Sequence, residues 1–221
     1  MTDSKKVTEK VLELADASVR RFDPANLKWM WGEALYTYSL LLLDTGMGES
    51  RYLDYCRAYV DAHIEKGYRV DQSDTAAPGL TAFGLYQVTG EEKYREVVER
   101  VVDYIKTSPK IVAGMPNHLG SSPEGRYYPK SVWVDSIMMY GVFTSWYGLE
   151  TGDREIYDFA CRQPALFTDL LQDPEEKLFY HSYWTRKKHT YPKRRIFWAR
   201  GNGWVIAALP KIIRNLPEGS E

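Results

Sequence analysis

Two short stretches carry the residues in this chain best able to do chemistry: Trp198-Ala-Arg200-Gly-Asn-Gly-Trp204 and Val132-Trp133-Val134-Asp135. The first sets two tryptophans and an arginine in a glycine-punctuated turn. Indole faces suit the apolar faces of sugar rings, and a guanidinium suits a sugar carboxylate. The second places a carboxylate among Trp133, Val134, Ile137 and Met138, where desolvation disfavours the ionised form, as a general acid requires. Taken singly, each stretch also has a structural reading, with Asp135 capping the following helix and the tryptophans in the core. In combination they point to carbohydrate chemistry.

The elements that must position these residues show as an internal echo. Thr45-Gly46 precedes Tyr52, Thr89-Gly90 precedes Tyr94, and Thr151-Gly152 precedes Tyr157, each pair closing one helix before the next opens. After Tyr94, the apolar positions Val97, Val98, Val101, Val102 and Ile105 form a one-sided stripe, and Tyr55, Cys56, Tyr59, Val60 and Ile64 repeat it after Tyr52. The partner runs 35–43, 80–88 and 132–149 are apolar nearly all round, so they are expected to be buried on both sides. Buried and amphipathic helices in alternation describe stacked helical hairpins. The expected fold is therefore all-α, an α/α toroid, over a single domain spanning 1–221. Three Pro-, Gly- and polar-rich insertions, 67–78, 108–131 and 173–203, each precede a buried helix and so are expected to gather at one face, with room for short strands.

Composition excludes several classes. A net charge of -1 gives no reason to expect nucleic acid or an acidic membrane surface. The basic run 186–195 reads as a solvated loop beside an anionic-sugar cleft. No apolar segment follows the basic residues of the first ten positions, and the run 40–43 is too short to cross a bilayer, so the expected location is cytoplasmic. Four histidines without ligand spacing, and two cysteines without a paired motif, argue against a metal site. His63 falls on its helix's apolar stripe and reads as packed core. Trp29 and Trp31 are compatible with either cleft or core.

Four stretches then carry a resemblance: Asp74-Thr-Ala-Ala-Pro-Gly79, Tyr128-Pro-Lys-Ser-Val-Trp133-Val-Asp135, Tyr180-His181-Ser-Tyr183 and Trp198-Ala-Arg200-Gly-Asn-Gly-Trp204. Over residues 29–213 the chain resembles glycoside hydrolase family 105, the unsaturated rhamnogalacturonyl hydrolases, and more distantly the glucuronyl hydrolases of family 88. The resemblance implies an (α/α)6-barrel of six helical hairpins. It also implies release of a 4,5-unsaturated uronic acid from the non-reducing end of oligosaccharides derived from pectin or rhamnogalacturonan. In that chemistry the C4=C5 enol ether is protonated, water adds at C5, and the hemiketal opens to free the sugar. No cofactor is implied. By this likeness Asp135 is the catalytic acid and then the base, and Asp74, His181, Trp198, Arg200, Trp204 and Trp133 bind substrate. Family members carry a histidine shortly before the Tyr-Pro, where this chain has Glu124 and Gly125, and His118 on the same loop is the candidate to replace it. The family also continues past the Arg-Gly-Asn-Gly-Trp motif, whereas this chain stops at Glu221. The barrel is thus expected to be incomplete in this chain, with apolar open ends that favour self-association.

Other readings remain at this point. An inverting glycosidase acting on a saturated sugar would use Asp74 and Asp135 as base and acid, with carboxylates about 6.5–9.5 Å apart. A non-catalytic carbohydrate-binding or scaffold toroid, and an epimerase on the same architecture, are the others.

Overall fold

The computed structural model describes residues 3–217, and the helices fall where the apolar stripes lie. In order they are α1 (Asp3–Arg21), α2 (Trp31–Met47), α3 (Leu53–Lys66), the single turn α4 (Ser73–Ala76), α5 (Gly79–Thr89), α6 (Glu92–Thr107), α7 (Val142–Thr151), α8 (Arg154–Leu171) and α9 (Ala199–Arg214). Five short strands sit in the insertions: β1 (Lys110–Val112), β2 (Met115–Pro116), β3 (Ser131–Trp133), β4 (Ser182–Trp184) and β5 (His189–Tyr191). β1 pairs with β2, and β3, β4 and β5 form an antiparallel sheet.

The alternation of buried and amphipathic helices is realised as two layers. Every residue of α5 from Gly79 to Leu85 is buried, whereas α6 buries only its stripe of Tyr94, Val97, Val98, Val101, Val102, Tyr104 and Ile105. α2 packs on α3 and α5, α5 on α6 and α7, and α7 on α8 and α9. The hairpins α2/α3, α5/α6 and α7/α8 thus succeed one another around an axis, with α9 in the next inner position. This is an α/α toroid of helical hairpins. α1, which the sequence reading did not foresee as a helix, lies outside α3; Arg51 pairs with Asp16, and the Tyr52 hydroxyl donates to Asp16 Oδ1 at 2.9 Å. Val7 and Leu14 on α1, and Ile206 and Ile213 on α9, are exposed. No helix among the described residues is long and apolar enough to cross a membrane.

Three local expectations need correction. Gly90 and Gly152 do end α5 and α7 in the left-handed conformation, at φ 67° and 71°, but α2 runs past Gly46 to end at Gly48, also φ 67°. There the Gly48 amide reaches back to the Asp44 and Thr45 carbonyls, while buried Asp44 accepts the Tyr52 amide at 2.8 Å and fixes the longer connection. The run from Val132 does not begin as an inner helix. Residues 131–133 pair with β4 as strand, and helix begins after Asp135 with a π-helical turn, Ile137–Gly141, that leads into α7. The Arg-Gly-Asn-Gly-Trp segment is not a turn but the opening of α9, with Trp198 as its N-cap. Its Gly201 serves close packing, since a Cβ there would stand 2.8 Å from both Trp198 Cε3 and Val134 Cγ1.

Candidate active site

Backbone pairing between β3 and β4 delivers the first pair of side chains. Val132 lies opposite Tyr183, Trp133 opposite Ser182, and the Val134 amide donates to the His181 carbonyl at 2.9 Å. The next residue, Asp135, therefore emerges beside His181, with Asp135 Oδ2 and His181 Nε2 3.5 Å apart. Both atoms are buried, and neither has a hydrogen-bond partner among the described residues. Asp135 makes no cap: the segment's N-cap is Ser136, with no side-chain cap bond, and only the Asp135 carbonyl accepts, from the Met138 and Met139 amides. The structural reading of Asp135 as a helix cap fails on this geometry. A buried carboxylate oxygen with no internal partner is costly to keep, and such atoms collect at functional sites.

Asp74 reaches the same place from α4, whose capping box joins Gln72 and Thr75. The Ser73 amide donates to the His118 carbonyl at 2.8 Å, and the His118 amide to the Ser131 carbonyl at 2.9 Å, so the first two insertions are laced together, and the β3–β4 pairing ties in the third. His118 is 1% exposed and its Nε2 lies 3.5 Å from Asp74 Oδ1. Its Nδ1 meets Ser136 Oγ at 2.9 Å, and Ser136 Oγ meets Ser73 Oγ at 3.1 Å. Burial pushes the His118 imidazole down to about 4, so it is neutral at physiological pH. The tautomer that lets Ser136 donate to Nδ1 aims an N–H at Asp74. Burial, with the Asp135 and Glu124 charges adding to it and Arg200 opposing it, pushes the Asp74 carboxyl from 3.8 up to about 7. Asp74 thus gains or loses its proton near neutral pH.

The tryptophans and Arg200 form the remaining wall. The Trp133 ring lies flat on His118, with centres 4.3 Å apart and planes 9° from parallel, and meets His181 edge-on at 4.8 Å. One of its faces is therefore spent on a histidine and is closed to a sugar. Trp198 packs against His181 at 4.7 Å and carries the Arg200 guanidinium at 4.2 Å from its ring centre. Trp31 holds the guanidinium from another side at 5.2 Å and meets Trp204 edge-on at 5.6 Å. Arg200 is exposed and, among the described residues, ion-pairs with no carboxylate. A cation held by two indoles and left without an ion-pair partner has the chemistry to receive an anionic group. The described residues contain no cluster of three or more His, Cys, Asp or Glu side chains able to hold a metal ion.

All seven residues singled out in the sequence thus surround one mouth of the toroid. His181 and Trp198 bridge Asp135 to Arg200, and Arg200 holds Trp31 and hence Trp204. The structure separates the two early tryptophans. Trp31 belongs to this wall, whereas Trp29 is buried against Tyr59, His63 and Tyr68. His63 is packed as expected, its Nε2 bonded to the Leu27 carbonyl at 2.8 Å. His118 does not share the surface of Glu124; it is buried behind Asp74. Two residues escaped the sequence reading. Ser136 orients His118. Asn202, inside the recognised motif, accepts the Phe179 amide at 2.8 Å and donates to the Phe179 and Trp198 carbonyls at 3.0 and 3.1 Å, so it clips the His181 strand to α9. Its place between two glycines was the available signal.

Fold and site together define an α/α-toroid protein whose mouth gathers two aspartates and an arginine that, among the described residues, forms no ion pair. The Glycosyl Hydrolase Family 88 model matches residues 3–221, and the chain belongs to that family. It is 26% identical over 206 residues to the unsaturated rhamnogalacturonyl hydrolase YesR of Bacillus subtilis (strain 168), covering 93% of this chain and 59% of that protein. It is 27% identical over 164 residues to an unsaturated 3S-rhamnoglycuronyl hydrolase of Alteromonas sp. (strain LOR), covering 71% of this chain and 38% of that protein. The solved structure of a family 105 glycoside hydrolase from C. acetobutylicum ATCC 824 shares the fold with a TM-score of 0.79 at 23% identity, covering 95% of this chain and 60% of that one. The chain therefore spans about 60% of the length of the Bacillus subtilis relative and of the C. acetobutylicum structure, and 38% of the Alteromonas protein.

Proposed function

We propose that this chain carries the substrate-binding and catalytic residues of a glycoside hydrolase that releases a 4,5-unsaturated uronic acid from the non-reducing end of an oligosaccharide. The names of the relatives favour a rhamnogalacturonan-derived substrate. The observation that carries the reading is Arg200, a guanidinium without a counter-charge, set between indoles beside Asp135 and His181. It receives the uronate carboxylate by charge-assisted hydrogen bonds, which fixes the C4=C5 bond over Asp135. Asp135 Oδ2 gives a proton to C4, and positive charge develops at C5 and the ring oxygen. Water attacks C5 and gives its proton to the Asp135 carboxylate. The hemiketal then opens between C5 and the ring oxygen, and C1 expels the leaving sugar's hydroxyl. His181 steadies Asp135 at 3.5 Å, and Asp74 binds a hydroxyl or the attacking water.

A second division of labour is favoured by one observation, the carboxyl of Asp74 standing at about 7. On that reading Asp74 is the proton donor and Asp135 the base. The test is loss of the enol-ether absorbance of an unsaturated disaccharide, followed for the wild type, Asp135→Asn and Asp74→Asn. No absorbance change with the wild type defeats the proposal. A larger kcat loss in Asp74→Asn than in Asp135→Asn selects the second reading. Self-association through the exposed apolar residues of α1 and α9 belongs to the same proposal, and size exclusion across a concentration series tests it.

A further inference from the structure

The hairpin of β4 and β5 stands at the rim of the mouth and has no part in the chemistry above. Pleat alternation puts Trp133 of β3, Trp184 of β4 and Tyr191 of β5 on one face of the sheet. Val132 and Tyr183, packed in the core, take the other face. The indole N–H groups of the aromatic face are satisfied within the sheet by buried serines. Trp133 Nε1 donates to Ser131 Oγ at 2.8 Å, and Trp184 Nε1 to Ser182 Oγ at 3.2 Å. Trp184 stacks on Tyr191, with centres 4.6 Å apart and planes 14° from parallel, and Tyr191 is 47% exposed. β5 lies two strand spacings, about 10 Å, beyond β3. The aromatic surface thus starts at Trp133, against His181, and continues outward from the mouth.

Charge follows the same direction. Residues 182–194 contain Arg186, Lys187, Lys188, Lys193 and Arg194 and no Asp or Glu. All five are exposed, and among the described residues none is in an ion pair. Arg195, next in line, differs: it pairs with Asp173 and Glu175. The whole chain carries a net charge of -1, so the positive potential here is a local concentration and not the mark of a basic protein. Five unpaired cations on one hairpin repel one another, and a multivalent anion relieves that repulsion.

Resting on the function proposed above, we propose that this hairpin is a docking surface for the distal, uronate-bearing sugars of an acidic substrate chain. With the unsaturated end at Arg200 and Asp135, the oligosaccharide extends outward over Trp184 and Tyr191, and its carboxylates meet the hairpin cations. Continuity with the mouth selects this occupant, because Trp133 lies on β3 and His181 directly precedes β4. Aromatic faces cover ring C–H groups, and Lys and Arg pair with carboxylates. The surface fits the chain to long acidic oligosaccharides over disaccharides.

The experiment compares an unsaturated disaccharide with an unsaturated rhamnogalacturonan hexasaccharide that shares its reacting end. The variant replaces four cations together: Arg186→Gln, Lys187→Gln, Lys193→Gln and Arg194→Gln. The wild type is expected to favour the hexasaccharide in kcat/KM at low salt. That preference is expected to fade at about 1 M salt, where screening acts within about 3 Å. In the variant the hexasaccharide-to-disaccharide ratio is expected to fall about tenfold, the combined scale of several exposed charge pairs, with the disaccharide unaffected. The ratio within one variant is independent of how much of it is folded. A wild-type ratio near one, or a ratio the variant leaves unmoved, overturns the proposal. If neither substrate is cleaved, the proposed function falls, and binding of saturated hexagalacturonate against neutral maltohexaose decides the surface separately. Tighter binding of the hexagalacturonate that is lost in the variant upholds the surface. Equal binding of the two, or tighter binding of a single-stranded oligodeoxynucleotide of the same charge, overturns it.

Discussion

His118 and His181 flank the same indole: one lies flat on Trp133 at 4.3 Å and the other stands edge-on to it at 4.8 Å, each with its Nε2 3.5 Å from an aspartate. The two carboxylates of the site are thereby held by two Asp–His pairs braced on one rigid ring. The pairs are not equivalent. His118 is fully buried and neutral, whereas His181 is partly exposed at the mouth. Asp74 has a buried support behind it, and Asp135 has one that is partly open to solvent.

Replacing Asp135 by Asn is expected to lower kcat on an unsaturated disaccharide by about two to four orders of magnitude, the usual weight of a positioned acid or base. Asn keeps the shape but carries no acidic proton. Far-ultraviolet circular dichroism is expected to match the wild type. A variant that keeps most of its kcat would remove Asp135 from the chemistry.

Asp74 and His118 pull the pH dependence of stability in opposite directions. Asp74 stands at about 7 in the fold against 3.8 ordinarily, so between those values the folded chain holds the extra proton and stability falls as pH rises. His118 stands at about 4 against 6.5, so there the unfolded chain holds the extra proton and stability rises with pH. The two slopes offset each other between about pH 4 and 6.5. Asp74→Asn removes the falling limb alone. Its stability relative to the wild type is expected to grow by roughly 1.4 kcal/mol per pH unit over that window. Urea unfolding at several pH values checks this, and parallel curves for the two proteins would refute it.

Arg200→Lys is expected to raise KM for the uronate strongly, because an ammonium cannot make a forked two-point contact or stack between Trp198 and Trp31. The loss is about 1.5–3 kcal/mol, the scale of a hydrogen bond to a charged group. A neutral analogue of the substrate is the control. An equal penalty on both ligands would assign Arg200 to holding its tryptophans and not to binding the carboxylate.

Gly201→Ala is expected to destabilise by about 1–3 kcal/mol and to displace Trp198, since its Cβ would sit 2.8 Å from Trp198 and from Val134. Thermal unfolding and Trp fluorescence read the two effects. An unshifted transition would show that the α9 N-terminus yields without strain.

The inner and outer helices were legible because burial writes itself locally. A run apolar all round, such as Gly79 to Leu85, has no solvent face, and the stripe of α6 has one. Gly90 and Gly152 were legible as helix ends for an equally local reason, a left-handed φ beyond a helix C-terminus. Gly46 misled because Gly48, two residues on, offered the same freedom with better backbone bonds. Strand β3 was missed because three residues carry too little pattern, and their pairing partner lies fifty residues away in β4.

The sequence by itself determined the order of hairpins and placed Asp74, Asp135 and Arg200 just before or at the start of inner helices. An inner helix must begin at the end where its loop enters, so residues at those starts share one face whatever the details of packing. Tertiary structure alone decided what that proximity does. His118 touches Asp74 across 44 positions of chain, and Arg200 reaches Trp31 across 169. The raised carboxyl of Asp74 is a sum over burial and over charges on three separate segments of the chain. Each of those quantities falls steeply with distance in space and is blind to separation along the chain, and for that reason the residue types announced the chemistry while only the fold could assign the parts.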